Sequence, residues 1–377
     1  MRILLLADAN SPHTSKWAIS LADLGHNVAI FSFSPSVTNL YDRYPNIKLF
    51  DAGISVSNFN STEAHLSKII YLKSITIVRQ LIKKIMPQIV HAHYASSYGL
   101  VGALSNFHPF FISAWGSDVL SFPNRSIIHR LILKFNFFKA DKIFSTSKIM
   151  GEKLIEYTSK PIVIIPFGVD LKLFKAESKK SELLLNEITI GTVKSLEKNY
   201  GIDLLIKSFN MVKTKLPNLK LRLLIVGSGK DEIEFKKLSE NLGLKNDVHF
   251  TGYIKHSEVP RYFNLMDIAV FLTRGTESFG VSVLEASACE KPVVVTNIGG
   301  LPEVVDDNIT GYIVEAGNIG QAASAIEKLI LDRELRTILG KNGRHMVEQR
   351  YDWKQSVNQM IKMYESVLDD SINRVCQ

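Results

Sequence analysis

Two glutamates, Glu277 and Glu285, lie eight positions apart in residues 273–286, which read TRGTESFGVSVLEA. An apolar run precedes this segment and a helix is predicted to follow, so Glu277 falls in a strand-to-helix loop. A carboxylate there can accept hydrogen bonds from sugar hydroxyls, and Glu285, about two helical turns later, suits the paired hydroxyls of a ribose. The unpaired amides near Phe279 and Gly280 would form a helix N-terminus, which attracts phosphate.

Both glutamates also have a structural interpretation. Glu277 can be a first-turn residue that stabilises the helix dipole, and Glu285 can be a solvated helix residue. For two isolated glutamates this interpretation is the more common one. The rest of the sequence therefore has to decide between the two.

Short β-branched runs alternate with amphipathic stretches along the chain, which is typical of parallel α/β architecture. In the first half, strands are predicted at 2–7, 27–32, 47–50, 89–92, 109–113, 142–145 and 162–165. Helices are predicted there at 14–24, 64–86, 96–105, 123–138 and 147–157. In the second half, strands are predicted at 188–193, 220–226, 248–250, 268–272 and 292–295. Helices are predicted at 202–214, 231–241 and 279–288, and in three closing stretches, the last near 353–370.

The alternation is interrupted once, at the junction PFGVD (166–170) and the Lys- and Ser-rich stretch 175–186, which is typical of a linker. We therefore predict two Rossmann-like domains, at 1–170 and 171–350. A C-terminal helix at 351–377 is expected to pack back toward the N-terminal domain. Parallel sheets bind ligands at the carboxyl ends of their strands, so two such domains can aim those ends into one cleft.

The segment around Glu277 and Glu285 resembles the retaining family 4 glycosyltransferases, whose hallmark is two glutamates separated by seven residues in this context. Other stretches are similar to the same family: LGHNV at 24–28, VHAHY at 90–94, PFGVD at 166–170, LIVGSG at 224–229, VHFTGY at 248–253, KPVVVT at 291–296 and GGLPE at 299–303. The likeness covers nearly the whole chain and is most specific in 266–304. It implies the α/β fold called GT-B, with two Rossmann-like domains facing each other across a cleft.

The resemblance implies a donor site in the second half of the chain. In it, Glu277 acts on the donor sugar in catalysis and Glu285 binds the ribose. The other donor-binding positions that it implies are Phe279, Gly280, Val281, Gly227 and Tyr253.

The loop GTVKSLEKNYG (191–201) is the implied site of the donor diphosphate. Cations are needed there to neutralise the charge that builds on the departing nucleotide diphosphate. Relatives usually have an arginine and then a lysine directly before the glycine, whereas this chain has Lys194 and Lys198 with two residues before Gly201. We expect the two lysines to take these catalytic roles. The alternative is a pair of surface lysines on a mobile loop.

The first half departs from the family pattern in two places. Many relatives have a Gly-Gly turn after the first strand, where this chain has NSPHTSKW (10–17), and His13 can face the cleft. Many relatives also have a histidine in a His-Gly-Ser-Asp run, where this chain has Trp115. Tryptophan cannot accept a proton, but it can pack against a sugar face. Asp118, assigned to catalysis, and His93 are the nearest candidates for orienting the acceptor, and a structural role is the alternative for each.

Basic charge is concentrated in the first half. The chain has 45 Lys and Arg against 37 Asp and Glu. Residues 1–170 hold 17 and 10 of these (17 − 10 = +7), and the remainder holds 28 and 27 (28 − 27 = +1). We expect a polyanionic partner, but no nucleic acid, because no nucleic-acid recognition pattern is present. An anionic membrane surface fits better.

The segment IIHRLILKFNFFK (127–139) alternates bulky apolar residues with cations, as an interfacial helix does. The alternative is a core helix whose cations simply face water. No apolar run approaches the roughly 20 residues that span a bilayer. We therefore expect a cytoplasmic protein that can sit peripherally at the inner face of the membrane.

No Asp-x-Asp motif follows a predicted strand, and Cys289 and Cys376 have no metal-ligand company in the sequence. We therefore expect neither a metal nor a cofactor, since the nucleotide sugar is a substrate. Lysines and the helix N-terminus would take the place of a cation.

The expected activity is retaining transfer of a hexose or N-acetylhexosamine from a nucleotide sugar to a glycan or lipid-linked acceptor. A UDP-sugar is the favoured donor and GDP-mannose the next, in the context of bacterial surface polysaccharide or lipopolysaccharide synthesis. A nucleotide-sugar epimerase of the same fold is one alternative, although the context of Glu277 and Glu285 argues against it. A non-catalytic nucleotide-sugar-binding subunit is the other, which the missing histidine and the shifted basic loop leave open.

Overall fold

The computed structural model describes residues 1–53, 64–177 and 187–375 of the chain, with side chains omitted for 64–70 and 370–375. The contacts divide the chain into two compact units. The first unit comprises Met1–Ile165 together with the residues from Val357 onward, and the second comprises Pro166–Ser356. Most of the expected linker, from 178 to 186, lies outside the described residues.

The described part of the first unit contains a seven-stranded parallel sheet in the order β3-β2-β1-β4-β5-β6-β7. Its strands are β1 (Arg2–Leu6), β2 (Asn27–Ser32), β3 (Ile47–Asp51), β4 (Ile89–His93), β5 (Phe110–Ala114), β6 (Lys142–Ser145) and β7 (Ile162–Ile164). Its helices are α1 (Pro12–Asp23), α2 (Ala64–Ile85), α3 (Ser97–Ser105), α4 (Ser117–Leu120), α5 (Ile127–Lys139) and α6 (Lys148–Leu154). Leu5 pairs with Ile30 on one side and with His91 on the other, so the order of strands reverses at β1. The carboxyl ends of β1 and β4 therefore flank a crevice of the kind in which such sheets bind ligands.

The described part of the second unit contains a six-stranded parallel sheet in the order β10-β9-β8-β11-β12-β13. Its strands are β8 (Ile188–Val193), β9 (Leu221–Val226), β10 (Val248–Phe250), β11 (Ile268–Phe271), β12 (Val293–Thr296) and β13 (Gly311–Val314). Its helices are α7 (Ile202–Lys215), α8 (Glu232–Asn241), α9 (Val259–Leu265), α10 (Val281–Ala288), α11 (Ile319–Leu331) and α12 (Arg333–Arg350). Here the order reverses at β8, which lies between β9 and β11. The loops after β8 and β11 consequently meet at one edge of the sheet.

The last helix, α13 (Trp353–Val375), begins in the second unit and continues into the first. Within the first unit its buried face includes Val357, Met360 and Tyr364. The Tyr364 hydroxyl lies 2.7 Å from Nδ1 of His91 on β4, and its ring stacks on Phe111 of β5. The C-terminal segment is therefore part of the core of the first unit.

The predicted α/β class is confirmed, because both sheets are parallel and consist of the apolar runs that the sequence predicts as strands. Residues 3–6 of β1 have no exposed surface, as expected for a strand covered on both faces. Three elements were not predicted, the short helices α4 and α9 and the edge strand β13. The predicted helix at 123–138 begins as a 3₁₀ turn, Phe122–Asn124, and α5 itself starts at Ile127.

Candidate active site

The loop that follows β8 carries the basic residues predicted to hold a diphosphate. The amide of Lys194 donates to the carbonyl of Val226, so the loop continues the pairing of β8 with β9. Gly227, at φ +131°, allows this approach, because a Cβ there would collide with the carbonyl oxygen of Lys194. The glycine is therefore required for the path of the Lys194 backbone.

Lys194 and Glu277 form an ion pair across the carboxyl ends of β8 and β11. The Lys194 Nζ lies 2.6 Å from the Glu277 Oε2, and the two side chains are only 16% and 12% exposed. The same ammonium lies 4.6 Å from the centroid of the Tyr200 ring, which adds a cation–π contact. A partly desolvated cation next to a carboxylate can bind a phosphate group and a sugar hydroxyl at neighbouring positions.

A second loop holds the backbone of Glu277. The amide of Gly300 donates to the Glu277 carbonyl at 2.9 Å. Gly299, at φ +53°, comes so close that a Cβ would collide with the same carbonyl oxygen. The GGLPE segment at 299–303 thus fixes the backbone that carries the Glu277 carboxylate.

Glu285 lies on α10 and is 5% exposed. Its Oε1 is 2.8 Å from Nε2 of His256, which belongs to a 3₁₀ turn, His256–Glu258. The sequence did not identify His256 as a site residue. Its only signal was the proximity of a histidine to the VHFTGY segment, which does not predict a contact with α10.

A cavity of about 370 Å³ opens at this edge of the second sheet. Lys194, Tyr200, Gly227, Tyr253 and Ser282 contribute to its lining. Tyr253 is 76% exposed, so its ring is available to a planar group bound at the mouth of the cavity. Three predicted donor-site residues, Lys194, Gly227 and Tyr253, are thus brought together around one cavity.

The remaining predicted donor residues lie at the start of α10. Gly280, at φ +109°, precedes the first helical residue, Val281, whose amide belongs to the unpaired first turn. The side chain of Phe279 is buried, and its ring packs against those of Phe167 and Tyr351. Phe279 therefore anchors the loop, and only its backbone is suited to a ligand.

Lys198 is directed elsewhere. Its Nζ lies 2.9 Å from Glu234 Oε1, and both side chains are more than half exposed. Its amide donates to Asp231 at 2.9 Å. Of the two lysines predicted for the diphosphate, Lys194 faces Glu277, whereas Lys198 belongs to a surface pair.

Aromatic residues dominate the corresponding edge of the first sheet. His13 contacts Trp115 edge to face at 5.7 Å between ring centroids, and the rings of Trp115 and His93 are 4.8 Å apart. Burial lowers the pKa of His93 to about 3, with a smaller contribution from the charge of His13. Its Nδ1 is buried and has no hydrogen-bond partner among the described residues. The structure thus gathers the three residues predicted for the acceptor side.

Asp118 is fully buried directly beside this aromatic group. Its carboxylate accepts hydrogen bonds from the amides of Ala95 at 2.6 Å, Gly116 at 2.8 Å and Trp115 at 3.2 Å. Burial raises the pKa of Asp118, and these backbone hydrogen bonds oppose the rise. Because its oxygens accept from these amides, the Asp118 carboxylate ties the end of β4 to the end of β5. This geometry favours a structural role for Asp118 over a catalytic one.

Tyr94 is a residue of this edge that sequence reasoning missed. It follows β4 directly, adopts φ 102°, and its hydroxyl forms a hydrogen bond with the Ser117 hydroxyl. A non-glycine residue in this conformation is strained, and such strain is frequent at ligand sites. No pattern in the amino-acid sequence reports a single backbone angle.

The described residues contain no group of three His, Cys, Asp or Glu side chains arranged to hold a metal ion. In the same residues, no helix combines the length and the apolar character needed to cross a membrane.

Two family models match the chain, the glycosyl transferase 4-like model over residues 2–147 and glycosyl transferases group 1 over 174–346. An uncharacterized glycosyltransferase of Methanocaldococcus jannaschii is 30% identical over 74% of this chain and 76% of its own length. The capsular polysaccharide biosynthesis glycosyltransferase CapM of Staphylococcus aureus is 34% identical over 64% of this chain and 66% of its own.

A solved structure shows the same fold. The sucrose-phosphate synthase of Thermosynechococcus elongatus matches with a TM-score of 0.83 at 21% identity, over 98% of this chain and 100% of that chain. The two parallel α/β units, the spacing of Glu277 and Glu285 and the family matches over both halves of the chain agree on one family and one fold. The chain belongs to the group 1, family 4 glycosyltransferases and has the GT-B fold.

Proposed function

We propose that the protein transfers a hexose or N-acetylhexosamine from a nucleotide sugar to a glycan or lipid-linked acceptor, with retention of configuration. The observation that carries this proposal is the Lys194–Glu277 pair beside the cavity of the second unit. A UDP-sugar is the favoured donor and GDP-mannose the next. The similarity to CapM supports a place in the synthesis of surface polysaccharide or lipopolysaccharide.

In this proposal the donor is held at the carboxyl edge of the second sheet. Glu285 accepts hydrogen bonds from the ribose hydroxyls, with its carboxylate oriented by His256. The diphosphate lies between Lys194 and the first-turn amides of α10, where both the cation and the helix dipole favour negative charge. Glu277 accepts from hydroxyls of the sugar, and Tyr253 packs against the base.

The transfer step then needs no metal and no protein base. The bond from the anomeric carbon to the phosphate oxygen breaks while the acceptor oxygen bonds to the same face of that carbon. The acceptor proton passes to the departing phosphate oxygen, so the products are the glycoside and the nucleoside diphosphate. Lys194 stabilises the charge that develops on the leaving group. His93, neutral at pH 7 because of its lowered pKa, lies beside Trp115 on the acceptor side.

Saturation-transfer NMR against UDP-, GDP- and ADP-sugars in the presence of EDTA tests the donor site. We expect one nucleotide family to bind, and its saturation-transfer signal to be strongly reduced in Glu285→Ala. Incubation of that donor with glycan and lipid-linked acceptors then tests catalysis, and the anomeric proton coupling of the product reports retention. Binding without turnover of any acceptor would favour the non-catalytic subunit, and release of an epimerised nucleotide sugar would favour the epimerase.

A further inference from the structure

Helix α5 has apolar side chains on the face that points away from the protein. Ile127, Leu131 and Phe138 are 67%, 59% and 73% exposed. With Lys134 they are spaced by four, three and four residues, so they share one face of the helix. Ile128, 62% exposed, lies at the margin of this face. The exposed set is therefore a continuous stripe and not a scatter of single residues.

The opposite face of α5 is anchored in the core. Leu133 and Phe137 have no exposed surface, and neither has Asn136. The Asn136 amide donates to the carbonyls of Ala95 and Ser96 at 2.9 and 3.1 Å. These contacts fix the rotation of the helix about its axis. Turning the apolar stripe inward would break the two buried hydrogen bonds.

Cations border the stripe almost without acidic partners. Residues 121–142 include five basic side chains, Arg125, Arg130, Lys134, Lys139 and Lys142, against one acidic residue, Asp141. Asp141 is engaged by His108 at 2.7 Å and by the amide of Phe110. A further cation, Lys160, donates to the carbonyl of Phe138 at the end of the helix. The positive charge around the stripe is therefore available to an external anion.

We propose that the exposed face of α5 docks on an anionic lipid surface. Ile127, Leu131 and Phe138 enter the boundary between headgroups and acyl chains, and Arg130 and Lys134 contact the lipid phosphates. The helix lies in the plane of the interface, because its other face stays bound to the protein. The core-helix alternative drawn from the sequence accounts for the cations but not for three large apolar side chains in water.

A second copy of the chain suits this face less well. Pairing two copies of the stripe about a twofold axis would bring Arg130 and Lys134 of both copies together with no acid in the stripe to neutralise them. An anionic lipid surface supplies both the apolar layer and the negative charge. The anionic lipid surface is a partner of the proposed transferase. Only the membrane-bound nature of the acceptor is taken from that proposed function.

Cosedimentation of the full-length protein with vesicles tests the surface. The vesicles contain equal amounts of phosphatidylglycerol and phosphatidylcholine, and vesicles of phosphatidylcholine alone serve for comparison. We expect binding to the anionic vesicles only, weakened by added salt. The variant R130Q/K134Q should bind about 30-fold more weakly, and L131S/F138S about tenfold more weakly.

Matched controls change the same residue types on the second unit. Ile233→Ser removes an apolar side chain that is 83% exposed, and K237Q/K245Q removes two exposed cations. Both controls should stay within about twofold of the unaltered protein, since neither lies on α5. Circular dichroism checks that all variants keep their fold, which is expected because every altered side chain is exposed or borders the surface.

Three outcomes would overturn the proposal: no binding to anionic vesicles, binding unchanged in both α5 variants, or a dimer in vesicle-free buffer that L131S/F138S abolishes. The last would assign the face to a second copy. Donor binding is measured on the same samples without vesicles. If the unaltered protein binds the donor but not the anionic vesicles, the docking surface alone is refuted. If it binds the anionic vesicles but no donor, the proposed transferase is refuted.

Discussion

The carboxyl edges of the two sheets differ in charge although their folds are alike. The edge of the second sheet presents Lys194, Glu277 and Glu285, each with a charged or ionisable partner. The edge of the first presents the rings of His93 and Trp115, and its carboxylate is consumed by backbone amides. A charged edge suits a nucleotide diphosphate, and an aromatic edge suits a polyhydroxylated acceptor. In the proposed function, the same architecture serves two kinds of ligand through the loops alone.

The largest effect should come from removing the cation of the charged edge. We expect Lys194→Ala to lower kcat about 100- to 1000-fold, because the departing diphosphate loses its neutralising ammonium. Lys198→Ala should change kcat by less than about twofold, since its exposed pair with Glu234 contributes little. Steady-state transfer assays measure both. Equal losses in the two variants would show that both lysines serve the diphosphate.

Variants of Asp118 test whether the carboxylate at the aromatic edge stabilises the fold or takes part in catalysis. Asp118→Ala removes the carboxylate that accepts from the buried amides of Ala95 and Gly116, and we expect the free energy of unfolding to fall by about 3 kcal/mol. Urea unfolding measures this loss, and Asp118→Asn should recover part of it by keeping one acceptor oxygen. A stable but inactive Asp118→Ala protein would return this residue to catalysis.

At the charged edge, variants of Glu285 and His256 distinguish the residue that binds the donor from the residue that positions its carboxylate. Glu285→Ala should raise the donor Kd about 30-fold, because charge-assisted hydrogen bonds to the ribose are lost. His256→Ala removes only the group that orients this carboxylate, so we expect about a threefold rise. Calorimetric titration with the nucleoside diphosphate gives both values. A His256→Ala effect as large as that of Glu285→Ala would mean that the imidazole itself contacts the donor.

The buried imidazoles should make the first unit sensitive to acid. The pKa of His93 is about 3 in the folded protein against an ordinary value of 6.5, so between these values the unfolded chain binds the proton and the folded one does not. Above pH 6.5, His93 does not lower the free energy of unfolding. Below pH 6.5, the free energy of unfolding falls by about 1.4 kcal/mol for each pH unit. His91, whose pKa burial also lowers, acts in the same direction. Urea midpoints at a neutral and an acidic pH measure the slope, and His93→Asn should flatten it; an unchanged slope would contradict the assignment.

The smallest effect concerns the acceptor. Trp115→Ala should raise the acceptor KM about fivefold through loss of ring contact, with the donor Kd unchanged. Trp115→Phe, which keeps an aromatic face, should restore most of the affinity. If donor affinity fell as well, the division of ligands between the two edges would be wrong.

Most of the fold follows from local patterns. Buried parallel strands such as β1 read as unbroken apolar runs, and most strands are separated from the next by a helical period. The four-residue strand β13, which pairs with β12 at one edge of the second sheet, was missed. Its existence depends on the exposed edge of a sheet assembled from distant segments, which local periodicity cannot report.

The site was predictable where chemistry and chain position coincide. Glu277 lies in the loop after the buried strand β11, and Lys194 directly follows β8, which pairs with β11, so their meeting is a consequence of strand order. The direction of Lys198 depends on Glu234 of α8, and the contact between His256 and Glu285 depends on how a 3₁₀ turn docks on α10. Such contacts depend on side-chain directions and docking that no periodicity encodes.

The placement of α13 also has a consequence for synthesis on the ribosome. Tyr364 closes the core behind His91 and Phe111, yet it is translated only after the whole second unit. The first unit therefore leaves the exit tunnel with an open hydrophobic site and a buried histidine that lacks its hydroxyl partner. The second unit has all of its own strands before that moment. The N-terminal unit therefore cannot complete its core until the second unit has been synthesised.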